Sequence, residues 1–252
     1  MKRLLSAENE AILTRFARSR ALVAFDFDGT LASIVADRDQ AALRPDTERL
    51  LSRLCAHYPC AVISGRSRAD LGARLGAAAV KYTVGNHGLE PGRDLALFAA
   101  VVARVRRRLE RALACHAGLD IEDKRYSLAV HYRRSPSKRA ARAAIHGAIS
   151  ALPEALRVVP GKLVLNVIPG SAPNKGDAVL DLREREGAQT ALYVGDDVTD
   201  EDVFKLDHRG RLISARIRPS RTSAARYFLR DQAEIDALLA RLVELRSGAG
   251  PS

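Results

Sequence analysis

Short apolar runs that stop in polar turn residues recur along this chain: LVAFDFD (22–28), CAVISGR (60–66), KYTVGNHG (81–88), ALYVGDD (191–197) and RLISARI (211–217). Each has the length and composition of a buried strand. Between them lie stretches of helical periodicity. One covers 46–57 and is opened by Pro45-Asp46; one covers 67–76, with Ser67 and Asp70 spaced as a capping box; one covers 175–186. Further helices are expected at 6–18 and at 231–246. This strand–helix alternation predicts an α/β fold, with a parallel sheet covered by helices on both faces.

The middle of the chain follows another pattern. VARVRRRLERAL (102–113) reads as an Arg-rich helix with apolar residues at helical spacing. DIEDKRYSLAVHYR (120–133) alternates polar and apolar residues, as a half-exposed antiparallel strand pair does. A helix is expected at 137–151. RVVPGKLVLNVIP (157–169) reads as two strands around a Pro-Gly turn. The order α-β-β-α-β-β predicts an open-faced sheet with helices on one side, inserted into the first module. The expected division is core 1–92, inserted α+β domain 93–169 and core 170–252, with hinges near Pro91-Gly92 and Pro169-Gly170.

In an open parallel sheet, ligands bind at the carboxyl ends of the strands, and the polar residues of this chain gather there. If the first strand runs on through Asp28, Asp26 and Asp28 are two apart and point the same way. Two carboxylates side by side repel unless a cation stands between them, and a hard divalent ion such as Mg2+ fits oxygen ligands. GDDVTDED (195–202) is a second acidic cluster after a strand. Thr199 as an N-cap would account for Asp200, Glu201 and Asp202 in the first helical turn. It would not account for Asp196 and Asp197, which precede the cap. Ser64-Gly65-Arg66 offers a hydroxyl and a backbone turn at a helix start, suited to an anion. Lys175 begins a helix, where a cation can contact a phosphate and an acidic nucleophile. Together these groups suit phosphoryl transfer through a carboxylate nucleophile.

The net charge of +11 admits nucleic acid, an anionic membrane surface or an anionic small substrate as partner. The Arg residues are scattered, which favours a soluble surface. Nucleic-acid binding would call for interleaved aromatics or a known motif, and it leaves the carboxylate clusters unexplained. No apolar run is long enough to span a bilayer, and MKRLLSAENEAILTRFARSR does not read as a signal peptide. The cysteines, Cys55, Cys60 and Cys115, are odd in number and lack CxxC spacing, so a reduced, cytoplasmic compartment is expected.

DFDGT, SGR, NKG and GDDVTDED, in that order, resemble the haloacid dehalogenase superfamily of phosphatases. The resemblance implies a Rossmann-like core with an inserted cap. It makes Asp26 the nucleophile and Asp28 the general acid/base. Mg2+ would be held by Asp26, the backbone carbonyl of Asp28 and Asp196, with Asp197 or Asp200 in support. Ser64, Gly65 and Lys175 would bind phosphate. GNHGLE (85–90), IEDKRYSLAVHYR (121–133) and GDDVTDEDVF are similar to the trehalose-6-phosphate phosphatases, over roughly residues 20 to 230. That family's acid-x-lysine motif falls on Glu122 and Lys124, which would hold sugar hydroxyls, and Arg66, His87 and Glu90 match positions lining its site. Asn166 stands where many members carry Glu, and it lacks the charge. The implied reaction is Mg2+-dependent hydrolysis of trehalose 6-phosphate through an aspartyl phosphate. Sucrose phosphate and mannosylphosphoglycerate are alternative substrates, and a sugar phosphomutase shares the core. A catalytically dead regulator would have lost a nucleophile or metal ligand, and none is lost. His57, His116, His146 and His208 read as surface or helix residues. His131 alternates with Ala129 and Arg133, which leaves both a sugar-facing and a structural place open.

Overall fold

A computed structural model describes residues 1–35, 37–92, 94–161, 163–206 and 210–248. His208 lies outside the described residues. Contacts divide the chain into two compact units: a core of Met1–Gly88 with Asn174–Ser252, and an insert of Leu89–Pro173, wider at both ends than the 93–169 read from sequence.

In chain order the elements are β1 (Lys2–Arg3), α1 (Glu10–Ala17), β2 (Ala21–Phe25), α2 (Pro45–Cys55), β3 (Cys60–Ile63), α3 (Arg68–Arg74) and β4 (Tyr82–Val84). The insert contributes α4 (Leu95–Leu113), β5 (Asp120–Asp123), β6 (Leu128–His131), α5 (Lys138–Ser150), β7 (Leu156–Gly161) and β8 (Val164–Pro169). Then follow α6 (Lys175–Arg185), β9 (Thr190–Gly195), α7 (Glu201–Phe204), β10 (Leu212–Ile217), β11 (Tyr227–Leu229) and α8 (Glu234–Ser247).

The core sheet has the order β1-β11-β10-β9-β2-β3-β4, and every pair in it is parallel. The central strand β2 is buried along its whole length, as a strand covered on both faces must be. Its residues alternate between two cores. Val23 and Phe25 pack with Leu13 of α1, Leu51 and Leu54 of α2 and Leu239 and Leu242 of α8. Leu22 and Ala24 pack with Val179 and Leu182 of α6 and Phe204 of α7. Phe25 pairs with both Val62 and Val194, so β2, β3 and β9 end side by side. That alignment brings the polar residues after each strand together.

In the insert, β5-β6-β8-β7 form an antiparallel sheet. Leu128, Val130, Leu165 and Val167 on one face pack with Val105 and Leu109 of α4 and Ile145 of α5. The expected Pro-Gly turn is corrected: Pro160 and Gly161 are strand residues paired with Leu165 and Val164. The chain reverses after them, and Leu163 takes the left-handed backbone conformation at φ 61°. β1 at the sheet edge and β11 between it and β10 are too short to show periodicity in sequence. Among the described residues, no helix is long and apolar enough to cross a membrane.

Candidate active site

Asp26, Ser64 and Asp196 are the first residues beyond β2, β3 and β9. β2 stops at Phe25, so the strand alternation expected to aim Asp26 and Asp28 at one point does not extend to Asp28. The two side chains have different partners.

Asp26 is buried and its Oδ1 accepts from Lys175 Nζ at 2.7 Å. Lys175 is the first residue of α6, and its place is set by a complete capping box. Asp177 N–H donates to Asn174 Oδ1 at 3.1 Å, and Asn174 N–H donates to Asp177 Oδ2 at 2.9 Å. Lys175 is only 2% exposed, and its Nζ also donates to Asp200 Oδ1 at 2.7 Å. A buried ammonium is tolerable only with such partners.

Asp200 accepts four hydrogen bonds. Lys175 Nζ at 2.7 Å and Tyr193 OH at 2.6 Å reach Oδ1, while the backbone N–H groups of Asp196 and Asp197, both at 2.8 Å, reach Oδ2. A carboxylate has about four lone-pair positions, so these donors occupy all of them. Asp200 therefore braces the loop and the lysine, its oxygens engaged by four donors. The reading that left Asp200 to a helix first turn, with Thr199 as cap, is corrected. The cap is Asp197, which is exposed and closes a box with Asp200 at the start of a single 3-10 turn.

Asp196 differs from both. Its Oδ1 is buried and has no hydrogen-bond partner, a costly state for a carboxylate unless something else satisfies it. Its backbone carbonyl accepts from Arg216. Gly29 brings the DFDGT turn against it: a Cβ on Gly29 would fall 2.2 Å from Asp196 Oδ2, and the residue's φ of +88° also favours glycine.

Asp26, Asp196 and Asp200 each offer an oxygen within 4.8 Å of the others. Burial, then the neighbouring Asp200 and Asp196, push the Asp26 carboxyl well above its usual range, against the pull of Lys175. Burial, then Asp200 and Asp197, push Asp196 up to about 7. For Lys175, burial opposes the charge but Asp200 and Asp26 outweigh it, and the ammonium is held more firmly than usual. Two buried carboxylates and a half-buried third, with one ammonium, leave an excess of negative charge. A hard divalent cation would relieve it and satisfy the orphaned oxygen of Asp196, so the residues present fit such an ion.

Beside this group, both oxygens of Asp28 accept from Arg66, from Nε at 2.8 Å and Nη2 at 2.7 Å. Arg66 is 1% exposed, stacks over Phe27 and also donates to Asp70 Oδ2 at 2.8 Å. Asp70 in turn accepts from Arg74 Nε at 2.7 Å. Half of the expected capping box forms, since Ser67 Oγ accepts from Asp70 N–H while the Asp70 carboxylate serves the arginines. Ser64 is buried, and its Oγ accepts from Arg66 N–H at 3.2 Å. Its carbonyl accepts from His87 N–H at 2.9 Å, tying the 64–66 turn to the 86–88 turn. A Cβ on Gly65 would fall 2.4 Å from His87 Cε1, so only glycine admits this close approach.

Glu90, Glu122, Lys124 and Asn166 belong to the insert. Glu122 and Asn166 share one row across its sheet, each opposite Ala129. Asn166 Nδ2 donates to Val159 O at 3.4 Å, and Lys124 lies in the turn after β5, its N–H donating to Ser127 O at 3.0 Å. Tyr193 and Arg216 enter the constellation without having been picked out from sequence, and Asp70, read there only as a capping residue, holds Arg66 and Arg74. Tyr193 had a readable signal, because a hydroxyl inside an apolar strand needs a buried partner.

The family model described as trehalose-phosphatase matches residues 24–233. A trehalose-phosphate phosphatase of Mycolicibacterium paratuberculosis is 37% identical over 196 residues, which are 72% of this chain and 50% of that protein. The chain thus spans about half the length of the curated relatives it matches. Among solved structures, an Aspergillus fumigatus trehalose-6-phosphate phosphatase is 27% identical with a TM-score of 0.68, covering 97% of this chain and 99% of that one. The C-terminal domain of the Candida albicans trehalose-6-phosphate phosphatase has the same fold, with a TM-score of 0.78 at 24% identity over 94% of this chain and 97% of that one.

Proposed function

The chain belongs to the trehalose-phosphatase family, and from that premise we propose that it hydrolyses trehalose 6-phosphate to trehalose and phosphate with Mg2+, through a phosphoaspartate on Asp26. The observation that carries this reading is the buried Asp26–Lys175–Asp200 group with the orphaned oxygen of Asp196 beside it.

Asp26 attacks phosphorus with a carboxylate oxygen, the bond from phosphorus to the sugar oxygen breaks, and Asp28 gives that oxygen a proton. Water then attacks the phosphoaspartate, Asp28 takes its proton, and phosphate leaves with the Asp26 carboxylate restored. The fork of Arg66 holds both oxygens of Asp28, so one must be released for each proton transfer. Lys175 orients Asp26 and, with the Ser64–Gly65 turn, binds the transferring phosphoryl group. Asp26, the backbone carbonyl of Asp28 and Asp196 would hold Mg2+, which when bound offsets charge on the equatorial oxygens. Asp200 and Asp197 set the Asp196 loop. Arg66, His87 and Glu90 are proposed to line the site, and Glu122, Lys124 and Asn166 to contact sugar hydroxyls.

Phosphate release from trehalose 6-phosphate, sucrose phosphate and mannosylphosphoglycerate, with Mg2+ and with chelator, tests the proposal. Trehalose 6-phosphate should be turned over fastest and only with metal. Asp26→Asn keeps the side-chain shape and removes the nucleophile, so turnover should fall by roughly 10^4-fold or more with the melting temperature little changed. Wild-type-like turnover by that variant would refute the nucleophile.

A further inference from the structure

The carboxylate of Glu122 is held by a residue of the neighbouring strand. Its Oε2 lies 2.9 Å from Nε2 of His131 on β6. An ionised carboxylate only accepts, so the imidazole donates from Nε2. In the antiparallel register Glu122 is opposite Ala129, and His131 is opposite Asp120. Glu122 and His131 are therefore diagonal neighbours on one face of the sheet, within reach of long side chains. Ala129 between them is small enough to let them meet. The same row continues to Asn166 on β8 and Val159 on β7. Val130 and Leu165 point to the opposite face and pack with the helices. The contact thus lies on the face opposite the one packed against Val105, Leu109 and Ile145.

We propose that His131 is a positioning residue for Glu122: by holding Oε2 it keeps the carboxylate in one geometry for a sugar hydroxyl. This rests on the reading of Glu122 as a sugar contact. Both side chains are about a third exposed, at 36% and 38%, and an ion pair so placed adds little to stability. Its effect belongs to recognition. A glutamate fixed before the ligand arrives loses less rotamer freedom on binding, and binds more tightly for it.

Steady-state kinetics of His131→Ala, His131→Gln, Glu122→Ala and the His131→Ala/Glu122→Ala double variant test this, on trehalose 6-phosphate and on p-nitrophenyl phosphate. His131→Ala should raise KM for the sugar phosphate about tenfold, with kcat and aryl phosphate turnover within about twofold of wild type. His131→Gln, which carries an amide donor to nearly the same reach, should recover most of the loss. The double variant should be no worse than Glu122→Ala alone, since the histidine acts only through the glutamate. Multiplying losses in the double variant, or an unchanged KM in His131→Ala, would overturn the inference. Wild-type enzyme that cleaves the aryl phosphate but not trehalose 6-phosphate would instead defeat the substrate reading, and this inference with it.

Discussion

Tyr193→Phe removes one hydroxyl from the most enclosed part of the site. That hydroxyl donates to Asp200 Oδ1 at 2.6 Å, and nothing else in the side chain is polar. Losing a hydrogen bond to a buried charge should cost about 1.5–3 kcal/mol, read by urea unfolding. Turnover should fall too, because Asp200 also seats Lys175 and the backbone of Asp196. A variant as stable and active as wild type would mean that Asp200 needs no such support. Burial and the neighbouring Asp200 and Asp197 push the Asp196 carboxyl up to about 7 in the metal-free fold, against about 3.9 in an unfolded chain. Between those values the fold holds a proton that the unfolded chain has released, so the metal-free protein loses stability as pH rises through that window. Mg2+ favours the ionised form, so its upward shift of the melting temperature should be larger at pH 8 than at pH 5. An equal shift at both pH values would remove Asp196 from the metal's ligands. At this scale the sequence showed which residue types gather, because acids at strand ends stand out against apolar runs. It did not separate Asp197 from Asp200, since which of two nearby acids caps a turn depends on where the backbone turns inward.

Where a helix carries part of the site, its cap fixes the functional side chain. Asn174 shows this for α6, whose first residue is Lys175. Asn174→Ala should destabilise the protein by about 1 kcal/mol. It should also lower kcat several-fold, because the start of the helix sets where Nζ falls. Unchanged kcat with the expected loss of stability would show that the two carboxylates alone place the lysine. Pro45 at the start of α2 and Ser67 before α3 were legible for the same reason: local chemistry decides them. Pro160 and Gly161 were misread as a turn because register across β7 and β8 is a tertiary property, set by the apolar face against α4 and α5. The paired arginines show the same limit. Arg66 adjoins Asp70 at helical spacing, but its fork on Asp28 spans a sequence gap that no periodicity reveals.

The whole molecule was legible as two modules because the repeating pattern changes between them: apolar strands alternate with helices in the core, and half-exposed strands with Arg-rich helices in the insert. The charge follows the same division. The insert carries 15 Lys or Arg against 7 Asp or Glu, while the core carries 26 against 23. Most of the net charge therefore belongs to the smaller unit. On α4, Arg104 and Arg108 pair with Glu154, and Arg106 pairs with Glu110 and Asp123. On α5, Arg139 and Arg142 line a groove with Lys138 and His146, and among the described residues neither arginine makes an ion pair. Such unpaired cations create a field that reaches about a Debye length into solvent, and they act on encounter rather than on the fold. For a dianionic sugar phosphate, kcat/KM should fall roughly 3- to 10-fold as ionic strength rises from about 0.02 to 0.2 M, with kcat unchanged. Arg139→Glu/Arg142→Glu should flatten that dependence and leave kcat alone, because neither residue belongs to the catalytic group. A dependence equally steep in the double variant would place the steering charge elsewhere, and a flat wild-type profile would mean that the insert's positive charge has no part in capturing substrate.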